Sequence, residues 1–220
     1  MADATYCAEH NASPRKCLSR RKVADMPIIE PIPHDQLSPV SRTVIEDGEA
    51  DGLYATPVPL QIFAYHTRQL LAMDETRRAR GGGSLLGGRI LELIRIRSAQ
   101  LGECQPCMQS RKHDSITDED VACLLDVGAG NLTDQERLAI MFIDLLSADH
   151  HAIDADFYRQ LAEVYTAAQI VELGFTCAGS MGIHRFLHTL EIFGTDPPVI
   201  AYSPDQVDTR HEIGASVAMA

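Results

Sequence analysis

The sequence predicts an all-α fold. Strand signals are nearly absent, helix signals recur and several begin with good caps, and the connections between them are a few residues long. With 220 residues, 45% of them hydrophobic, the chain is long enough for one sizeable core. No Pro-, Gly- or Ser-rich linker separates two halves of comparable size. One helical domain is therefore expected over residues 26–195, with an irregular N-terminal extension at 1–25 and an irregular C-terminal arm at 196–220.

Residues 1–25 mix Arg15, Lys16, Arg20, Arg21 and Lys22 with Asp3, Glu9 and Asp25. That mixture differs from a transit peptide, which is poor in acids, and there is no apolar stretch of a secretory signal. The segment reads as a disordered extension, with Met26 as an alternative start. After Met26, Pro-Ile-Ile-Glu-Pro-Ile-Pro suits an extended lead-in.

Ser38-Pro39 offers an N-cap with proline in the first turn, and the helix it opens should stop near Gly48. Pro57 and Pro59 open a segment whose Ile62, Phe63, Leu70 and Leu71 suggest one or two helices. These should end before Gly81-Gly82-Gly83, the strongest break in the chain, which sets a motif core at 84–195. Arg89 to Leu101 reads as a helix with Ile90, Leu93, Ile94 and Ala99 inward and Gly102 as its stop. A short helix is expected from near Cys104 to about Asp114. Thr117-Asp-Glu-Asp120 resembles a cap for a helix through Leu125, and Thr133-Asp-Gln-Glu136 is a full capping box. Helices from Asp154 to Tyr165 and from about Ala167 to Phe193, the latter capped by Thr166, complete the bundle.

The net charge of −12 argues against a nucleic-acid partner, which would need clustered Lys and Arg. No apolar run reaches the roughly 18 to 20 residues of a membrane span. A cytoplasmic setting is expected. Six cysteines (Cys7, Cys17, Cys104, Cys107, Cys123 and Cys177) are too few and scattered for a disulfide-stapled scaffold, so the close pair Cys104-Gln-Pro-Cys107 is the informative one. Cys123 and Cys177 sit in apolar helical contexts and read as buried small hydrophobes.

A thiolate is the nucleophile toward peroxides and disulfides, and a helix N-terminus favours the anion. The spacing of Cys104 and Cys107 lets one sulfur resolve a sulfenic acid or mixed disulfide formed on the other. No βαβ alternation surrounds the pair, which argues against a thioredoxin-type setting. Glu92 lies in the apolar run Ile-Leu-Glu-Leu-Ile and needs a raised pKa or a partner. Antiparallel helices joined at Gly102 could bring it to Arg111 or His113 near the dithiol; alternatively it pairs with Arg89, Arg95 or Arg97 on its own helix. Metal is not expected, because no second cysteine pair completes four ligands. His150-His151 should be solvated. His184 and His188 share a helix face, as interface histidines or as ligand contacts.

The segment Glu92-Leu-Ile-Arg-Ile-Arg-Ser-Ala-Gln-Leu-Gly-Glu-Cys104-Gln-Pro-Cys107 resembles the AhpD-like alkylhydroperoxidase branch of the carboxymuconolactone decarboxylase family, in which eleven residues likewise separate the glutamate from CxxC. Leu132-Thr-Asp-Gln-Glu-Arg-Leu-Ala, Ile170-Val-Glu-Leu-Gly and His184-Arg-Phe-Leu are similar to the helices that follow. The likeness spans roughly residues 40 to 195 and is strongest at 88 to 114. It implies an AhpD-like helical bundle, homo-oligomers (dimer, trimer or hexamer), and an oxidoreductase that reduces hydroperoxides. The resemblance makes Cys107 the peroxidatic thiolate, Cys104 the resolving partner and Glu92 a participant in proton transfer. No cofactor is implied beyond an external dithiol or redox protein that re-reduces the disulfide. Where the family usually has a histidine, four positions after the second cysteine, this chain has Arg111, and His113 stands two residues further on. A guanidinium there can stabilise a thiolate but cannot act as a general base at neutral pH. Two other readings follow from the same residues: a lyase or isomerase of the decarboxylase branch working through Glu92, His113 or His184, and a non-catalytic redox-sensing oligomer.

Overall fold

The computed structural model describes residues 28–54, 56–124, 132–191 and 198–209. The extension at 1–25, the alternative start at Met26, Cys7 and Cys17 lie outside these residues, as do 196–197 and 210–220 of the C-terminal arm. Nine α-helices and three short 3-10 turns make up the regular structure of the described residues, with two isolated bridges in place of any strand. The all-α class holds. No helix among the described residues is long and apolar enough to cross a membrane.

Helix α1 (Pro39–Ala50) starts as expected, with the Ser38 side chain accepting from the Ser41 N–H at 3.1 Å. It ends at Ala50, two residues beyond Gly48 and near the expected stop. The Tyr54 ring occupies the space that a Cβ on Gly48 would need, so this glycine permits a close approach inside the helix. Tyr54 in turn donates its hydroxyl to Asp74 at 2.6 Å, tying the end of α1 to α3 (Thr67–Gly83), with α2 (Val58–Phe63) between them in the chain. Gly81, Gly82 and Gly83 are helical: they form the last turn of α3, and the chain breaks at Ser84. Ile32, Ile45, Leu60 and Leu70 form the core of this N-terminal layer.

Helix α4 (Gly88–Leu101) is central, packing on α7 (Asp134–Ala148) and α9 (Ala167–Thr189). Ile90, Leu93, Ile94 and Ala99 are buried as expected, and so are Glu92 and Ser98. Gly102 ends the helix, but the left-handed residue is Glu103 (φ 53°). Gly102 is required for a different reason. A Cβ there would lie 2.8 Å from the His184 Cβ, so α9 rests directly on this turn.

Three arginines on α4 brace different neighbours. Arg89 pairs with Asp120 and Glu136, each at 2.6 Å. Both acids are also the reciprocal members of the capping boxes that open α6 (Asp118–Cys123) and α7, so one guanidinium joins two helix starts. Arg97 pairs with Asp144 of α7 at 2.6 Å. Arg95 turns to the dithiol segment. Helix α8 (Ala155–Val164) is capped by Asp154, and α9 by a Thr166–Gln169 box. Helix α9 ends at Thr189; the expected ends at Leu125 for α6 and Phe193 for α9 lie outside the described residues. Cys177 is fully buried, whereas Cys123 is only half-buried, because on short α6 the next residue, Leu124, takes the inward place.

The part of the arm that is described does not hang free. Ile200 exchanges backbone hydrogen bonds with Ile28 and Glu30, and Asp208 with Tyr65 and Thr67.

Candidate functional site

Cys104 and Cys107 are joined as a disulfide with their Cα atoms 5.3 Å apart, within the usual span for such a bond. Cys104 directly precedes α5 (Gln105–Gln109) and is 6% exposed. Its N–H donates to the Ala99 carbonyl at 3.0 Å, and its carbonyl accepts from the Met108 N–H at 3.0 Å. Cys107 is half-buried and opens onto a cavity of about 550 Å³ walled by the loop after α1 and by α3, α4 and α9.

Helix α5 is shorter than the sequence suggests because Glu92 and Arg95 draw the chain after it onto α4. Arg95 holds Glu92 through two hydrogen bonds of 2.7 and 2.8 Å. The same guanidinium donates to the carbonyls of Cys107 at 2.6 Å and Ser110 at 2.7 Å. Glu92 accepts the Lys112 N–H at 2.8 Å. Burial works to raise the Glu92 pKa, but the Arg95 hydrogen bonds and charge and the Lys112 N–H outweigh it. The carboxyl sits below its ordinary value and is ionised at neutral pH.

Glu92 thus meets neither Arg111 nor His113; of the partners weighed from the sequence, Arg95 is the one it has. Arg111 is exposed, lies outside the cavity lining, and donates to the Met108 carbonyl at 2.7 Å and to Asp118 at 3.3 Å. His113 does line the cavity. Its Nδ1 faces the Ser115 hydroxyl at 2.8 Å, and its ring lies against Gly88, where a Cβ would be 2.6 Å from Cδ2. Cys107, Glu92 and His113 therefore share one cavity, while Cys104 lies behind it and Arg111 to one side.

His184 is a buried lining residue whose Nδ1 is hydrogen-bonded to the Ser98 hydroxyl. Burial, with Arg95 and Arg77 nearby, lowers its pKa to about 4, so it is neutral at pH 7. His188, one turn on, is exposed, 3.9 Å from Glu103, and His150 and His151 are exposed as expected. Arg77, Arg80 and Lys112 line the cavity too and carry no signal in the sequence that links them to Cys107. The two arginines lie in a polar helix ahead of the glycine run. Lys112 turns its ammonium to the Leu53 carbonyl; burial, Arg77 and Arg95 lower its pKa to about 8, with Glu92 opposing.

Fold and site together define an all-helical protein with a dithiol at the edge of a cation-rich cavity. No protein-family model matches the chain, and no curated protein or solved structure matches it significantly.

Proposed function

We propose that the protein is a thiol-dependent peroxidase with an AhpD-like helical bundle. One observation carries this. Cys107, a half-buried residue of the cavity lining, has its buried partner Cys104 already within bonding reach.

In the reduced form, the Cys107 thiolate attacks the terminal oxygen of a hydroperoxide. The O–O bond breaks, the alkoxide takes a proton and leaves as an alcohol, and Cys107 becomes a sulfenic acid. Cys104 then attacks that sulfur, hydroxide leaves and takes the Cys104 proton to form water, and the disulfide closes. Two thiols and one hydroperoxide give one disulfide, one alcohol and one water. An external dithiol or redox protein returns two electrons and two protons, and the cytoplasm is a compartment that keeps such reductants available. The cations that line the cavity favour the thiolate. Glu92 is ionised and can take the thiol proton only transiently; its standing work is to hold Arg95, which makes it a positioning residue. Homo-oligomers belong to the same proposal, and Val171 (72% exposed) and Phe175 (65%) on α9 offer an apolar surface for them.

The test is steady-state reduction of an organic hydroperoxide with a small dithiol as electron donor. Cys107→Ser should abolish turnover. Full activity in that variant overturns the proposal.

A second reading, acid–base chemistry of the decarboxylase branch, is favoured by ionised Glu92 and neutral His184 lining one cavity. Lyase or isomerase activity that survives alkylation of both thiols would select it.

A further inference from the structure

The cavity holds more positive charge than the dithiol network uses. In a chain of net charge −12, its lining contains Arg77, Arg80, Arg95 and Lys112 against two carboxylates, Asp51 and Glu92. Both carboxylates are occupied, Asp51 by Arg78 and Glu92 by Arg95, each at 2.7 Å. Lys112 is turned to a backbone carbonyl. Arg77 and Arg80 have no carboxylate within ion-pair distance among the described residues. Arg77 lies 5.1 Å from the centroid of the Tyr54 ring and Arg80 lies 6.0 Å from that of Phe175, contacts that leave guanidinium N–H groups unused. Burial lowers the pKa of both, as it does for charges removed from water, yet guanidiniums stay protonated at neutral pH.

Beside them lies a buried polar atom with nothing to bind. Thr176 is 2% exposed and lines the same cavity, and its Oγ1 has no hydrogen-bond partner among the described residues. A buried hydroxyl left so is costly, and an oxygen of a bound ligand would satisfy it. The remaining wall includes Leu60, Leu91, Ile183 and Leu187. Two uncommitted cations suit a monoanion, and apolar walls suit a hydrocarbon body.

We infer that the cavity beside Cys107 binds an organic acid, with the carboxylate between Arg77, Arg80 and the Thr176 hydroxyl and the apolar body along α4 and α9. Resting on the peroxidase function proposed above, this makes the hydroperoxides of carboxylic acids the substrate class.

The test is calorimetric titration of the oxidised protein with octanoate, octanol and hexyl phosphate. Octanoate should bind at least tenfold more tightly than octanol, and Arg77→Gln should weaken octanoate about tenfold while leaving octanol unchanged. Thr176→Val keeps the side-chain shape and removes only the hydroxyl. It should fold at least as well and bind octanoate several-fold more weakly, so the inference stays testable if Arg77→Gln fails to fold. Equal affinity for octanol, or unchanged octanoate binding in Thr176→Val and in folded Arg77→Gln, overturns the acid site; tighter binding of hexyl phosphate overturns the carboxylate assignment. Turnover separates the two claims. A higher kcat/KM for a fatty-acid hydroperoxide than for tert-butyl hydroperoxide supports the substrate class, and an equal or lower one overturns it. No turnover with either, while octanoate still binds, removes the peroxidase function and the substrate class with it, and leaves the acid site standing.

Discussion

Arg95 donates from Nη1 to the carbonyl oxygen of Cys107 at 2.6 Å, so the backbone of the dithiol hangs from the guanidinium that also grips Glu92. Removing the Glu92 charge leaves Arg95 uncompensated and largely buried, with its side chain 19% exposed. Glu92→Gln should cost about 2–4 kcal/mol of stability by urea unfolding, slightly less than for a fully buried pair. A structural loss alone would end there. If Glu92 positions the dithiol, the pH midpoint of Cys107 alkylation in the reduced protein shifts as well. Arg97→Met, which breaks the pair with Asp144 and the hydrogen bond to Gln100 but touches neither cysteine, should lose stability without that shift.

The two cysteines should differ in reactivity. With Cys104 buried and Cys107 open to the cavity, Cys104→Ser should accumulate a sulfenic acid on Cys107 that a dimedone-type reagent captures. Cys107→Ser should give little adduct on Cys104. The opposite labelling would reverse the assigned roles.

Acid should weaken the fold through His184. Its pKa is lowered from 6.5 to about 4, chiefly by burial and then by Arg95 and Arg77. Between these values the unfolded chain binds a proton that the folded chain does not, so stability falls as pH drops from 6.5 toward 4, by up to about 3 kcal/mol. Unfolding midpoints at pH 6.5, 5.5 and 4.5 measure the slope, and His184→Gln should flatten it. Asp120, held at about 2 chiefly by its hydrogen bonds from Arg89 against the opposing effect of burial, loses its contribution at still lower pH.

Two glycines should respond in opposite directions. Gly82 is helical with open space around its missing Cβ, so Gly82→Ala should add about 0.5–1 kcal/mol. Gly102→Ala would push against His184 and should cost about 1–3 kcal/mol. Thermal unfolding of both variants reads the difference.

These cases mark what was legible in the chain. Ser38, Thr117, Thr133 and Thr166 announce helix starts because a cap is a local arrangement of three or four residues. The run at 81–83 misled for the complementary reason, since a glycine can end a helix or lie within it; at Gly48, where the helix does end close by, the approach of the Tyr54 ring is a second role that no local signal shows. Glu92 was legible as a buried acid, but Arg89 and Arg95 each lie three residues from it along the helix, with Arg97 five residues on. Their assignment depends on α6, the dithiol segment and α7, which arrive from far along the sequence. The cavity was illegible for that reason too, since Arg77, Arg80 and Thr176 lie on two helices that meet Cys107 only after folding.

Mass spectrometry of the reduced protein, before and after one equivalent of an organic hydroperoxide, tests the central claim most directly. The expected result is a loss of two hydrogens confined to the peptide carrying Cys104 and Cys107, with Cys123 and Cys177 unchanged. Oxidation at Cys123 or Cys177 with the pair still reduced would contradict it.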